Sequence, residues 1–317
     1  IYLFLLSDYI SSVLSWSLFF YLRKTWIENE VFQTDDNFWL GVFLIPIFWM
    51  VLYFIQGTYI EIRRMFRLKL FNLTISGSII GSLVIFFSII LDDQVRGYEG
   101  YYWNLLILFC VHFVITAIPR MFVNTLLIHS IRGQGNGFKT VIIGGTEKAI
   151  DIYDEIQKNR KNVNTFIGYV NMNGNDRKLD GTIPYLGHFE QLDEIKKTLD
   201  IDEYIIAIES SEHNKLMNIM LKIDDGNARI KSLPDTYVIL SGTVKMTNIY
   251  GALLLEVISD VMPFWQRVIK RGMDFVFSFM AVILLLPFYF FSALAVKLSS
   301  PGPIFFLQDR VGKNGRS

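Results

Sequence analysis

Four apolar runs of membrane-spanning length, crowded into the first 118 residues, constrain this chain more than any other feature. Residues 1–22 hold one charge, Asp8, and residues 38–55, 72–91 and 101–118 hold none. A spanning helix needs about 20 mostly apolar residues, because about 1.5 Å of rise per residue must cover roughly 30 Å of hydrocarbon. Trp39, Tyr101, Tyr102 and Trp103 lie near run ends, where aromatic rings collect at membrane interfaces. Composition agrees, since 52% of the 317 residues are hydrophobic. Such a chain is not disordered. Its 30 basic and 30 acidic residues cancel, which argues against nucleic-acid binding driven by bulk positive charge. A lone cysteine, Cys110, excludes an intramolecular disulfide framework and a Cys-cluster zinc site.

No small-residue cleavage site follows the first run, so it does not read as a signal peptide. The sequence begins at Ile1 inside an apolar run and stops at Ser317 after a basic, glycine-containing stretch. It therefore reads as a piece of a longer protein.

Orientation follows from counting Lys and Arg in the loops. The loop 23–37 has two, the loop 56–71 has four (Arg63, Arg64, Arg67, Lys69), and the loop 92–100 has Arg96 alone; Arg120, Arg132 and Lys139 follow the fourth run. This predicts that the second loop, the N-terminus and everything after residue 118 are cytoplasmic. Asp8 admits two readings, an ion path or a carboxylate at a helix contact, the second being the simpler. His112 has no acidic residue near it in sequence and reads as a packed or hydrogen-bonded histidine.

The organisation predicted is a four-helix transmembrane bundle over residues 1–128, an α/β Rossmann-like domain over 129–262, and a third region over 263–317. Gly133, Gly135 and Gly137 suggest a linker into the second. Strands are expected at 140–143, 165–170, 203–208 and 230–233, alternating with helices at 147–158, 189–199 and about 214–223. That alternation indicates a parallel sheet with crossover helices. A nucleotide would bind at the turn after the first strand. There the sequence runs Gly144-Gly145-Thr146-Glu147, with Thr146 where the dinucleotide fingerprint needs its second glycine. The second strand ends at Val170-Asn171 without a carboxylate for a ribose. Gly144 and Gly145 are thus weak nucleotide candidates, and a structural glycine turn is the default.

A fifth run, 275–296, is charge-free and contains Pro287, which removes a backbone hydrogen bond and bends a helix. Arg267, Lys270 and Arg271 precede it, and Lys297 and the basic stretch 308–316 follow. A bent, re-entrant helix over 275–296 would keep both basic flanks on one side of the membrane. Pro301 and Pro303 then force extended backbone, and Arg310, Lys313 and Arg316 lie on a glycine-hinged segment. Arginine forks onto phosphate oxygens, so these residues suit a phosphorylated ligand; contact with anionic lipid heads is the equal alternative.

The stretch Ser300-Pro301-Gly302-Pro303-Ile304-Phe305-Phe306, with Gln308, Arg310 and Gly312, resembles the S-P-G-P-[VI]-F-F-x-Q-x-R-x-G signature of the large bacterial polyprenyl-phosphate sugar-1-phosphate transferases. These are the priming enzymes of exopolysaccharide and capsule synthesis. Lys270-Arg271-Gly272-Met273-Asp274 is similar to that family's approach to its membrane helix, and Leu233-Pro234-Asp235 with Leu240-Ser241-Gly242 to its linker. Family members often place Ser before the helix-breaking proline, where this chain has Leu286.

The resemblance implies transfer of a hexose-1-phosphate from a UDP-sugar to undecaprenyl phosphate, with Mg²⁺ as cofactor, at the inner face of a bacterial cytoplasmic membrane. It implies a catalytic Asp-Glu pair beyond Ser317, so the third region is an incomplete catalytic domain and the 317-residue chain alone is expected to be inactive. No catalytic or metal-ligating residue is then assigned within the chain. Arg310 is the leading phosphate contact, with Gln308 and Lys313 behind it and a salt bridge as the alternative role for Arg310. Expected partners are undecaprenyl phosphate, a UDP-sugar and the bilayer, with no nucleic acid; a homo-oligomer is compatible with the sequence. Two rivals stand beside this reading. A non-catalytic membrane sensor or scaffold would need an intact glycine fingerprint and a polar pore lining, and neither is evident in the sequence. A membrane-anchored oxidoreductase or dehydratase would need a Tyr-x-x-x-Lys pair, which the middle-domain tyrosines lack.

Overall fold

The computed structural model describes residues 2–60, 62–90, 98–133, 137–158, 162–172, 177–208, 216–223, 228–232, 255–257 and 262–299, with residues 303, 305 and 308. The chain divides into two compact units, Ile1–Val261 and Met262–Ser317.

The first unit opens with four long helices: α1 (Tyr2–Leu22), α2 (Asp36–Ile55), α3 (Arg67–Ile85) and α4 (Tyr98–Gly133). Helix α2 starts where the Asp35 carboxylate accepts the Phe38 N–H at 2.8 Å, satisfying a donor that the first turn leaves orphaned. Helix α1 packs on α2 and α4, and α3 packs on α4. Large aromatics fill the seams, among them Trp16, Phe19, Phe20, Trp49 and Tyr53. Small residues admit them: a Cβ added to Gly81 on α3 would stand 2.1 Å from the Trp49 ring.

The bundle is apolar outside, and within it polar side chains are buried beside the aromatic core. Leu6, Phe43, Leu44, Ile47, Val51, Ile79, Ile80, Leu106 and Ile118 are exposed, while Asp8, Ser12, Ser15, Thr74, Ser78, Asn104, His112, Arg120 and Asn124 are buried. That inversion suits a lipid solvent, in which apolar side chains gain nothing from burial and small or polar residues join the helices. It corrects one reading of the sequence: Arg120 is not a loop charge, because α4 continues about four turns beyond residue 118 and Arg120 is fully buried inside the bundle. Gly133, expected in the linker, ends α4; Gly135 lies outside the described residues.

The α/β part follows as β1 (Phe138–Ile143), α5 (Glu147–Lys158), β2 (Asn164–Asn171), β3 (Tyr185–His188), α6 (Leu192–Thr198), β4 (Glu203–Ile206), α7 (Leu216–Ile223), β5 (Arg229–Ser232) and β6 (Leu255–Val257). The sheet order is β3-β2-β1-β4-β5-β6. Strands β1 to β5 pair in parallel and β6 pairs antiparallel with β5. Alternation along the buried strands feeds two cores. Val141, Ile143, Val170, Tyr204 and Ile206 meet Leu192 and Ile195 of α6 and Ile219 and Ile223 of α7. Ile142, Tyr169 and Ile205 meet Ala149, Ile152 and Ile156 of α5. Strand order reverses between β1 and β4, the place where such sheets bind ligands beyond their carboxyl ends. Strands β3 and β6 were not expected from the residue pattern.

The second unit holds α8 (Phe264–Ser299), a 36-residue helix that runs on through Pro287. At about 1.5 Å per residue it is about 54 Å long. Among the described residues five helices, α8 included, are long and apolar enough to cross a membrane. The α8 side chains Phe275, Phe277, Leu284, Phe288, Phe290 and Phe291 are exposed, a continuous apolar surface of the kind that lipid covers.

Candidate functional site

Three places carry the residues singled out in the sequence. At the first, the turn after β1, Gly144 has φ +127° and donates its N–H to the Val170 carbonyl at 2.9 Å. An added Cβ would stand 2.2 Å from the Ala207 carbonyl oxygen beyond β4. Glycine is therefore demanded by the close approach of two backbones at the strand-order switch. The carbonyl of Gly145 accepts the Lys178 N–H at 3.1 Å, and the Lys178 ammonium pairs with Glu147 in the first turn of α5. The segment 177–183 thus covers the turn, and the Glu147 carboxylate brings negative charge to a helix end that would otherwise attract a phosphate. Leu179 and Ile183 anchor the cover in the core. Tyr169 donates to Asp180; burial and that bond to a carboxylate both push its phenol above the usual tyrosine range. Beside this closed turn a cavity of about 240 Å³ lies at the carboxyl ends of β2 and β3, lined by Met172, His188, Phe189, Glu190, Asn218 and Ile219.

The second place is the bundle interior, where sequence reading missed the main partner. Arg120 Nε and Nη2 donate to the two Asp8 carboxylate oxygens, each at 2.7 Å. Tyr59 Oη donates to Asp8 Oδ2 at 2.7 Å, and Arg120 Nη1 donates to Thr74 Oγ1 at 3.0 Å. The guanidinium lies 3.7 Å from the Tyr53 ring centroid. His112 extends the network, 2.7 Å from Tyr53 Oη and 2.9 Å from Ser15 Oγ, and stacks on Trp49 at 3.5 Å between centroids. Helices α1, α2, α3 and α4 and the loop after α2 all contribute. A carboxylate held by three donors is a tie between helices, so the helix-contact reading of Asp8 and the hydrogen-bonded reading of His112 describe this geometry.

The third place is the segment after α8. Pro303, Phe305 and Gln308 are exposed. Ser300, Pro301, Gly302, Arg310 and Lys313 lie outside the described residues. Pro287 lies within α8. Among the described residues no three His, Cys, Asp or Glu side chains converge on a point that could hold a metal ion.

Comparison with known proteins bears on the third place most directly. Residues 265–317 match the family described as bacterial sugar transferase, and residues 49–234 match the family described as CoA-binding domain. The chain is 26% identical over 132 residues to the UDP-glucose:undecaprenyl-phosphate glucose-1-phosphate transferase of Escherichia coli, covering 42% of this chain and 28% of that protein. It is 39% identical over 88 residues to the UDP-N-acetylgalactosamine-undecaprenyl-phosphate N-acetylgalactosaminephosphotransferase of Aeromonas hydrophila, covering 27% of this chain and 19% of that protein. An uncharacterized sugar transferase of Haemophilus influenzae is 22% identical over 303 residues, which is 90% of this chain and 59% of that protein. The chain thus spans less than two thirds of the length of each of these relatives. With the CoA-binding-domain match over more than half its length and the sugar-transferase match directly after α8 begins, the chain belongs to the polyprenyl-phosphate sugar-phosphotransferase family.

Proposed function

We propose that the protein takes part in priming transfer of a hexose-1-phosphate from a UDP-sugar to undecaprenyl phosphate, releasing UMP, at the inner face of the cytoplasmic membrane. One observation carries this reading: the match to bacterial sugar transferases covers the long apolar helix α8 together with the Ser300–Gly312 motif that follows it. The chemistry fits that placement. One substrate is a lipid and the other is water-soluble, so the phosphoryl group must change hands at the interface. Phosphoryl transfer is mostly positioning and charge stabilisation. Arg310 is proposed as the main phosphate contact, with Gln308 and Lys313 supporting it, because a guanidinium forks onto two phosphate oxygens.

In this reading α1 to α4 each cross the bilayer, with the N-terminus and the α/β domain in the cytoplasm. Helix α8 bends at Pro287 and returns to the side it entered, a geometry favoured by the basic residues on both of its flanks. Mg²⁺ belongs to the proposal only as a family expectation. The described residues do not form a site for it, and no step here is routed through it.

The test is UMP release by the full-length gene product in membranes, with undecaprenyl phosphate and a panel of UDP-hexoses. Release that requires the lipid phosphate, and that falls at least about a hundredfold in Arg310→Ala, on the order of losing one charge-stabilising donor, supports the reading. Release with no lipid-phosphate dependence, or none with any UDP-sugar, overturns it.

A further inference from the structure

The loop between α2 and α3 connects the buried bundle network to the sheet, and it does so with built geometry. Gly57, with φ +80°, starts a series of tight turns in which Thr58 N–H donates to Tyr53 and Met65 N–H to Ile62. Tyr59, Ile62 and Met65 are buried in the bundle core. Tyr59 carries the bond to Asp8. Five residues on, Arg64 Nη1 reaches Glu203 Oε1 at 2.5 Å and Nη2 donates to the Asp202 carbonyl at 2.9 Å. The Arg63 and Arg64 guanidinium groups lie 5.4 Å and 4.3 Å from the Phe138 ring centroid.

Glu203 opens β4 and Phe138 opens β1, so the loop meets the amino edge of the parallel sheet. Glu203 is buried and also holds Lys231 of β5 at 2.8 Å and Asn164 of β2 at 2.7 Å. One carboxylate is therefore shared between a cation from the sheet and a cation from the bundle loop. Lys231 and Asn164 remain if Arg64 is removed, so Glu203 keeps partners of its own and the sheet does not inherit an uncompensated buried charge.

We propose that the α2–α3 loop is a latch that couples the helix bundle to the α/β domain, with Arg64 as its bolt and Glu203 as its keeper. The latch fixes the amino edge of the sheet to the bundle. It leaves the opposite edge, with Gly144 and the Met172–His188–Asn218 cavity, facing away from the bundle. Because Tyr59 and Arg64 share one short packed loop, displacement of either end is felt at the other. The inference does not depend on the proposed transferase activity.

The test is the distance between the two parts in the whole chain, in lipid nanodiscs. With Cys110→Ser as background, spin labels at Leu68→Cys on α3 and Lys158→Cys on α5 are read by pulsed electron–electron resonance. A single narrow distance is expected, which becomes broad in Arg64→Ala and in Glu203→Gln and stays narrow in Lys231→Met. The last change removes a sheet partner of Glu203 without touching the bundle loop. An unchanged distribution in Arg64→Ala or Glu203→Gln overturns the latch. Equal broadening in Lys231→Met also overturns it, because the effect would then reside in the sheet. If Arg64→Ala does not elute as a monodisperse particle, Glu203→Gln, which keeps the side-chain shape, decides alone.

Discussion

Arg120 of α4 grips Asp8 of α1 through two parallel bonds of 2.7 Å, with both side chains sealed from solvent. Pairing of this kind offsets the cost of placing two charges in a low-dielectric interior, and removal of one partner strands the other. Asp8→Asn or Arg120→Met should therefore destabilise the bundle by about 3–5 kcal/mol. The double change Asp8→Asn with Arg120→Met should cost less than the two single changes summed, because no charge is left stranded. Unfolding by denaturing detergent, followed by the fluorescence of the chain's six tryptophans, of which Trp16 and Trp49 are buried in the bundle, measures both. Additive costs would show that the pair is not coupled.

The fit of Gly81 to Trp49 sets a second expectation. A Cβ at 2.1 Å from a buried indole ring has no room unless the ring moves, and the ring stacks on His112 with 3.5 Å between centroids. Gly81→Ala should cost about 1–3 kcal/mol by overpacking and lower the melting temperature in detergent. Trp49→Phe, which removes the atoms the new methyl meets, should recover part of that loss when combined with it. No recovery would place the damage elsewhere.

What could be read from the sequence followed from signals that need no partner. Runs of 18 to 22 residues with at most one charge mark helices by length alone, and α1 and α2 begin and end within two residues of the runs. The strands β1, β2 and β4 are short apolar runs closed by turns, which is how a doubly covered strand reads. Strand β3 has four residues and β6 three; neither is long enough for a period, and each exists by pairing with a neighbour. The Arg120–Asp8 pair spans 112 positions, so no local pattern joins them. The usable signal was a lone acid within the first run and a lone base just after the fourth. For the site, the Ser300–Gly312 motif was legible as a motif, whereas the closure of the Gly144 turn by Lys178 depends on a segment more than thirty residues away.

Gly144 gives a third expectation. Its positive φ and the Ala207 carbonyl 2.2 Å from an added Cβ penalise any side chain twice, through backbone strain and through collision with backbone that cannot rotate aside. Gly144→Ala should destabilise the α/β domain by about 1–3 kcal/mol from the strained backbone alone. The loss should appear as faster amide exchange in β1 and β4, while the bundle helices keep their protection. Unaltered exchange at Ile142 and Ile205 would mean the turn tolerates the methyl group.

Helix α8 supplies the last expectation, and it separates two membrane geometries. A straight helix of about 54 Å is longer than the roughly 30 Å hydrocarbon layer and would deliver Lys297 to the face opposite Lys270. A helix bent at Pro287 would return Lys297 to the same face. Single cysteines at Lys270 and Lys297 in a Cys110→Ser background, probed in intact cells with a membrane-impermeant maleimide, distinguish the two. Protection of both positions until the cells are opened is expected, because lysines are retained on the cytoplasmic side. Pro287→Ala restores the backbone N–H that proline lacks and should let part of the population span, so that Lys297→Cys labels from outside while Lys270→Cys does not. External labelling of Lys297→Cys with Pro287 intact would mean that α8 crosses the membrane and that the basic segment after it faces away from the UDP-sugar.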